Sequence, residues 1–224
     1  MLEVLQRSPA ASTVDALRFP VLLLLIAGMN CASAASGDLA GIWQAQRNAS
    51  QVLPENPLFT AQGREAQNNF DPGKDPYLRC IVYVPRAMIA WQPTRIEIVE
   101  SSERVWILFE AYHQVRRIFL DGRPPLDGEG PLWLGHSNGR WEGDTLVVDT
   151  VNLKAGTTYH WEGLPLSGET RLEERFTRLD NETLEIRIKV TDPVNYEEPW
   201  ETINIYRADP DAHFFEYECD QVAQ

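Results

Sequence analysis

Residues 184–191 have the sequence Leu-Glu-Ile-Arg-Ile-Lys-Val-Thr, in which apolar and polar side chains alternate strictly. A period of two places the apolar side chains on one face of a β-strand and the polar side chains on the other. This is the pattern of a strand with one buried and one solvated face. Residues 169–178 form a second candidate strand, and the intervening Leu179–Glu182 is typical of a turn. Together they predict a hairpin near the carboxyl end.

Further candidate strands lie on both sides of this hairpin. They are expected at residues 95–100, 105–109, 113–120, 146–151, 201–207 and 213–219. Most connections are too short for helical crossovers, which favours an all-β antiparallel meander, either closed as a barrel or folded as a sandwich. We expect the barrel because closure removes exposed strand edges.

One short helix is expected near the amino end of this domain. Thr60 is a suitable N-cap for a helix over residues 61–70, and Asp71-Pro72-Gly73 ends it.

The amino terminus is interpreted as a signal peptide. Arg18 precedes an apolar run of eleven residues, 19–29, whereas a membrane-spanning helix needs about 20. Ala32-Ser33-Ala34 then provides a small-x-small cleavage site. We therefore expect a signal peptide over residues 1–34 and a single exported barrel domain over residues 35–224, periplasmic or secreted. A lipoprotein is the alternative, because Cys31 could carry a lipid, although Asn30 before it suits lipid attachment poorly.

The charge balance excludes two classes of partner. The chain of 224 residues has 20 Lys and Arg against 33 Asp and Glu, a formal net charge of −13. Nucleic-acid binding requires a basic face, and an anionic membrane surface repels an acidic protein. The predicted signal peptide carries two basic and two acidic residues, so the exported domain keeps the whole acidic excess.

Two cysteines remain after signal cleavage, Cys80 and Cys219. In an oxidising compartment such a pair is typical of a disulfide. It would close a loop of roughly 140 residues and stabilise the fold by at most about 4–5 kcal/mol through chain entropy. Two free thiols are the alternative.

Residues 135–150, Gly-His-Ser-Asn-Gly-Arg-Trp-Glu-Gly-Asp-Thr-Leu-Val-Val-Asp-Thr, resemble the signature of a large, mostly uncharacterised family of exported bacterial proteins. Gly41-Ile42-Trp43 resembles the start of lipocalin-like (calycin) barrels. These resemblances imply an exported β-barrel, with no established activity to carry over. In the family a His usually follows the Asp-Gly-Arg segment, where this chain has Pro124-Pro125. That departure puts any family-wide histidine chemistry in doubt here.

The four histidines do not form a metal-binding pattern. His113, His136, His160 and His213 include no close pair of the kind that zinc sites use, so we expect neither a metal nor a cofactor. Gly135–Gly139 has the spacing of a nucleophile elbow, Gly-x-Ser-x-Gly. That motif requires a strand–turn–helix setting, whereas a hairpin is expected here.

The strand predicted over residues 113–120 places Arg116 and Arg117 on opposite faces. Whichever face is buried, one guanidinium approaches a largely apolar interior and requires a carboxylate partner. The available carboxylates are Glu110, Asp144, Asp149, Glu173 and Glu174. The alternative is an arginine that ties strands together from outside the barrel.

Two sets of candidate functional residues follow. The candidate catalytic residues are His113, His136 and Asp144, and among them His113 or His136 would move a proton near neutral pH. The candidate ligand-binding residues are Arg116, Arg117, Tyr112, Trp133, Tyr159 and Trp161.

Three functions are compatible with these candidates. The first is an exported barrel that carries or acts on a small hydrophobic or amphipathic molecule. The second is a cofactor-free acid–base enzyme, an isomerase, lyase or hydrolase, working in the barrel cavity. The third is a structural or envelope-interaction module with a filled core.

Overall fold

A computed structural model describes residues 38–46, 57–88, 95–128, 130–159 and 163–216. The predicted signal peptide, Trp161 and Cys219 lie outside these residues. Within them the strands are β1 Gly41–Ala45, β2 Arg95–Glu100, β3 Arg104–Phe109, β4 Val115–Phe119, β5 His136–Glu142, β6 Thr145–Val151, β7 Thr157–Thr158, β8 Pro165–Leu166, β9 Arg171–Arg178, β10 Thr183–Thr191 and β11 Trp200–Ala208. The helix α1 spans Ala61–Asn68. No helix in the described ranges is long and apolar enough to cross a membrane.

Nine of the described strands close into a barrel in the order β1-β11-β10-β9-β6-β5-β4-β3-β2, and β2 pairs with β1. The predicted all-β barrel is therefore confirmed. Strands β7 and β8 form a separate two-stranded sheet. Adjacent barrel strands are antiparallel apart from β4 and β5, which run parallel where Ile118 lies beside Ser137 and Phe119 beside Asn138.

The hairpin of β9 and β10 matches the alternation in the sequence. Leu184, Ile186, Ile188 and Val190 are all buried in the core, and Ile186 lies opposite Phe176 of β9 and Asn204 of β11. The turn closes with the Leu179 amide donating to the Thr183 carbonyl over 2.9 Å, while the Asp180 carboxylate accepts from the Glu182 amide over 2.8 Å.

Two predicted strands differ from the structure. His113 was expected on a strand, but β4 begins at Val115 and His113 ends a 3-10 turn, Ala111–His113. Tyr112 and His113 both have a left-handed backbone, with φ of 59° and 49°, which no strand accommodates. The strand expected at 213–219 is absent from its described part, residues 213–216, which form an irregular tail.

The parallel pairing of β4 and β5 depends on the long connection between them. A parallel neighbour requires the chain to return to the end from which the first strand started. Residues 120–135 make this return: the Val84 amide donates to the Trp133 carbonyl over 3.2 Å, and the Leu132 amide donates to the Asn152 carbonyl over 2.9 Å.

The helix α1 packs at the end of the barrel opposite the β9–β10 turn. Its predicted cap is confirmed, since the Thr60 hydroxyl accepts from the Gly63 amide over 3.0 Å. The same hydroxyl donates to the Val194 carbonyl over 2.6 Å. Gly63 is buried against the connection between β10 and β11, where an added Cβ would lie 2.0 Å from the Asn195 carbonyl oxygen.

Gly63→Ala is therefore expected to push α1 away from Asn195. Overpacking of this kind typically costs about 1–3 kcal/mol, and we expect a lower melting temperature in a thermal denaturation followed by circular dichroism. Gln62→Ala is the matched control, because Gln62 is exposed on the same helix and alanine favours helix. An unchanged melting temperature for Gly63→Ala would contradict this packing.

Candidate functional site

A cleft of about 510 Å³ lies on the outer face of β4. One wall is β4 itself, the second consists of residues 80–82, and the third is the connection that leads from β4 to β5. The apolar lining includes Val82, Val115, Phe119, Leu126, Leu132 and Trp133. The polar lining includes Arg116, Arg117, Arg123, His136 and Ser137.

The alternation along β4 determines which arginine enters the barrel. Arg116 and Ile118 are buried, whereas Val115 and Arg117 are exposed on the opposite face. The Arg116 side chain therefore points into the barrel interior, although the residue also borders the cleft. Arg117 lies on the outer face and lines the cleft.

Arg116 is 1% exposed and forms an ion pair with Glu174, which is 0% exposed. Its Nη1 donates to Glu174 Oε1 over 2.8 Å, and its Nη2 donates to Glu174 Oε2. The same Nη2 donates to Thr150 Oγ1 over 2.7 Å, and Nε donates to Ser137 Oγ over 3.2 Å. Four neighbouring strands, β4, β5, β6 and β9, each contribute one side chain to this buried network.

Sequence reasoning identified Arg116 and Glu174 as candidates but missed Ser137 and Thr150. The alternation of side chains along a strand could have identified both residues. Ser137 lies on the same face of β5 as Gly139 and Trp141, and Thr150 lies on the same face of β6 as Leu146 and Val148. Because successive side chains on a strand point to opposite faces, Ser137 and Thr150 both point inward.

Other polar groups lie in the interior beside this network. Burial raises the pKa of Tyr159 to about 12, and the neighbouring Thr202 and Asn204 side chains offset only part of that effect. The Tyr159 ring meets the Trp200 ring edge-to-face at 5.0 Å. Tyr159 is therefore a buried neutral phenol at physiological pH.

His136 anchors the connection between β4 and β5. Its Nε2 lies 2.8 Å from the Arg123 carbonyl oxygen, which also accepts from Asn138 Nδ2 over 2.9 Å. Because a carbonyl oxygen only accepts, Nε2 carries a proton in this contact. The imidazole stacks on Phe119 with ring centroids 5.4 Å apart.

Arg123 contacts the same Phe119 ring as His136. Its guanidinium is 4.5 Å from the centroid of the Phe119 ring and pairs with Asp121. The hydrogen bond from Arg123 lowers the pKa of the Asp121 carboxyl to about 2. The charge of Arg123 is therefore balanced by its own neighbour in the loop.

The structure brings four predicted site residues to the cleft: Arg116, Arg117, Trp133 and His136. The others lie elsewhere. The Tyr112 hydroxyl donates to the Tyr77 carbonyl over 3.0 Å, and His113 Nε2 lies 3.2 Å from the Phe215 carbonyl oxygen. Asp144 lies in the turn between β5 and β6, at the far end of that hairpin from His136. Tyr159 is in the interior, and Trp161 is outside the described residues.

Within the described ranges, no three His, Cys, Asp or Glu side chains are grouped closely enough to hold a metal ion. Comparison with protein-family models and with curated protein sequences finds no match for this chain.

Removal of one partner of the Arg116–Glu174 pair is expected to destabilise the fold strongly. Glu174→Leu leaves a buried guanidinium without its counter-charge, which costs about 3–5 kcal/mol. The double variant Arg116→Met, Glu174→Leu removes both charges and is expected to lose less stability than the sum of the two single variants. Urea denaturation of the four proteins measures this coupling. Additive losses would contradict the strong pairing described here.

Proposed function

We propose that the chain is an exported small-molecule-binding protein that carries a hydrophobic or amphipathic molecule in the cleft on the outer face of β4. The volume of the cleft supports this most directly. At about 510 Å³ it lies within the range of small-molecule sites, about 300–1,000 Å³. Its walls combine apolar side chains with a smaller number of polar groups, as small-molecule sites do.

The exposure of apolar side chains around the cleft supports the same proposal. Leu126 is 72% exposed and Val115 is 40% exposed, and both line the cleft together with Leu132. Apolar side chains face water on both sides of this cleft. Covering them with a ligand lowers the free energy of the system, because apolar surface is removed from water. A bound apolar body would cover all three.

The surroundings of His136 favour carriage over acid–base catalysis. A general base needs an orienting group and access to the proton it removes. Nε2 of His136 is engaged with the Arg123 carbonyl, and no carboxylate in the described part of the chain lies within ion-pair distance of this imidazole. His113 and Asp144, the other candidate catalytic residues, do not line the cleft.

The neutral fluorescent probe N-phenyl-1-naphthylamine tests binding at this cleft. We expect its emission to rise on adding the protein, and Leu126→Ser to weaken its affinity by about tenfold, as expected for losing one buried leucine contact. Leu179→Ser is the matched control, because Leu179 is 56% exposed in the β9–β10 turn, away from the cleft. Equal affinities for the two variants would contradict binding at the cleft.

The position of the described carboxyl-terminal tail bears on the proposed export, because Phe215 contacts Glu110 and His113. The Phe215 amide donates to Glu110 Oε1 over 3.4 Å, and the Phe215 carbonyl contacts His113. These two residues flank Tyr112, whose hydroxyl reaches Tyr77, three residues before Cys80. Cys219 follows Phe215 by four residues, a span of at most about 14 Å. We propose that Cys219, within this reach of Phe215, forms the predicted disulfide with Cys80.

Intact mass spectrometry of the protein recovered from a bacterial periplasm tests export and disulfide together. We expect the mass of residues 35–224, two mass units below the fully reduced chain, and no reaction with a thiol reagent in denaturant. A Cys80→Ser, Cys219→Ser variant is the control for the mass difference. Two reactive thiols would rule out the disulfide, and an uncleaved amino terminus would rule out the signal peptide.

A further inference from the structure

The cleft on β4 has a local charge opposite to that of the whole protein. The chain carries a net charge of −13, yet three arginines, Arg116, Arg117 and Arg123, are among the residues that line the cleft. No Asp or Glu is found among its described lining residues. Lys154 adds a cation nearby, with its ammonium 4.6 Å from the centroid of the Trp133 ring.

Two of the three arginines are already paired. Arg116 is held in the interior by Glu174, and Arg123 is held by Asp121. Arg117 has no carboxylate within ion-pair distance among the residues that the structure describes, and it is exposed on the outer face of β4. It is therefore the lining cation whose charge is open to a ligand.

We propose, building on the small-molecule binding proposed above, that the ligand is an organic anion with a carboxylate or sulfonate at one end and an apolar body. The Arg117 guanidinium binds the anionic group, and the apolar body lies along Phe119, Leu126 and Trp133. This assigns Arg117 as the residue that distinguishes an anionic ligand from a neutral one of the same shape.

The chemistry of the guanidinium supports this assignment. Its planar fork matches a carboxylate or sulfonate through two parallel hydrogen bonds, which a lysine ammonium does not provide. The negative charge of the remaining surface repels an approaching anion, but at physiological ionic strength this repulsion is screened beyond about 8 Å. The local charge of the cleft therefore determines which ligand is preferred.

A matched pair of probes isolates the anionic group. 1-Anilinonaphthalene-8-sulfonate has the same aromatic body as N-phenyl-1-naphthylamine and adds a sulfonate. We expect the sulfonate to bind the unmodified protein more tightly than the neutral probe. Arg117→Gln should weaken sulfonate binding by about tenfold, as for a lost hydrogen bond to a charged group, and leave the neutral probe unaffected. The affinity of Arg117→Lys for the sulfonate should lie between those of the unmodified protein and Arg117→Gln.

Arg187→Gln is the control variant, because Arg187 is a half-buried arginine on β10 paired with Glu185, far from the cleft. Decanoate should displace the sulfonate more effectively than decanol, which extends the result to carboxylates. If both probes bind equally and Arg117→Gln changes neither affinity, binding stands but the preference for an anion is overturned. If neither probe binds, the proposed small-molecule function itself fails.

Discussion

A guanidinium and a carboxylate withdrawn from water stabilise a fold only when their remaining hydrogen-bonding atoms are also satisfied. Arg116 and Glu174 meet this condition because Ser137 and Thr150 provide hydroxyls at the right positions. The four side chains come from four consecutive strands of the barrel wall, so a one-residue slip of any of these strands would remove its member from the network. The ion pair thereby fixes the register of this wall and the face that β4 turns inward. With Arg116 inside, Arg117 necessarily lies outside.

The cleft is a consequence of how β4 and β5 meet. Their pairing covers only Ile118 and Phe119 on β4, and β5 approaches so closely there that a Cβ on Gly139 would lie 2.7 Å from the Ile118 side chain. The connection that makes parallel pairing possible must travel back along the outside of β4. A long return over an outward face with alternating apolar and cationic residues leaves a cavity between loop and strand. In this barrel a cleft of about 510 Å³ therefore lies on the outside of the wall.

Local signals predicted the parts of this fold that local chemistry controls. The β9–β10 hairpin follows from strict alternation and turn residues, and the start of α1 follows from the capping side chain of Thr60. The features that local signals did not predict depend on contacts between segments distant in the sequence. Arg116 and Arg117 are equivalent within their own strand, and only Glu174, 58 residues later, distinguishes them. The left-handed backbone at His113 and the parallel approach of β5 depend likewise on neighbours remote in sequence. Of the predicted site residues, those on β4 and its return loop meet, because one feature of the topology gathers them.

The carbonyl oxygen of Arg123 accepts hydrogen bonds from both His136 and Asn138. One rigid strand thus holds the start of the return loop through a backbone atom, which every amino acid at position 123 would present. Leu126, in contrast, contributes little to the core because most of its side chain faces water. The barrel interior provides the stability, and the loop provides part of the surface of the proposed binding cleft. Substitutions in residues 124–128 are accordingly expected to change the lining of the proposed binding cleft while leaving the barrel core intact.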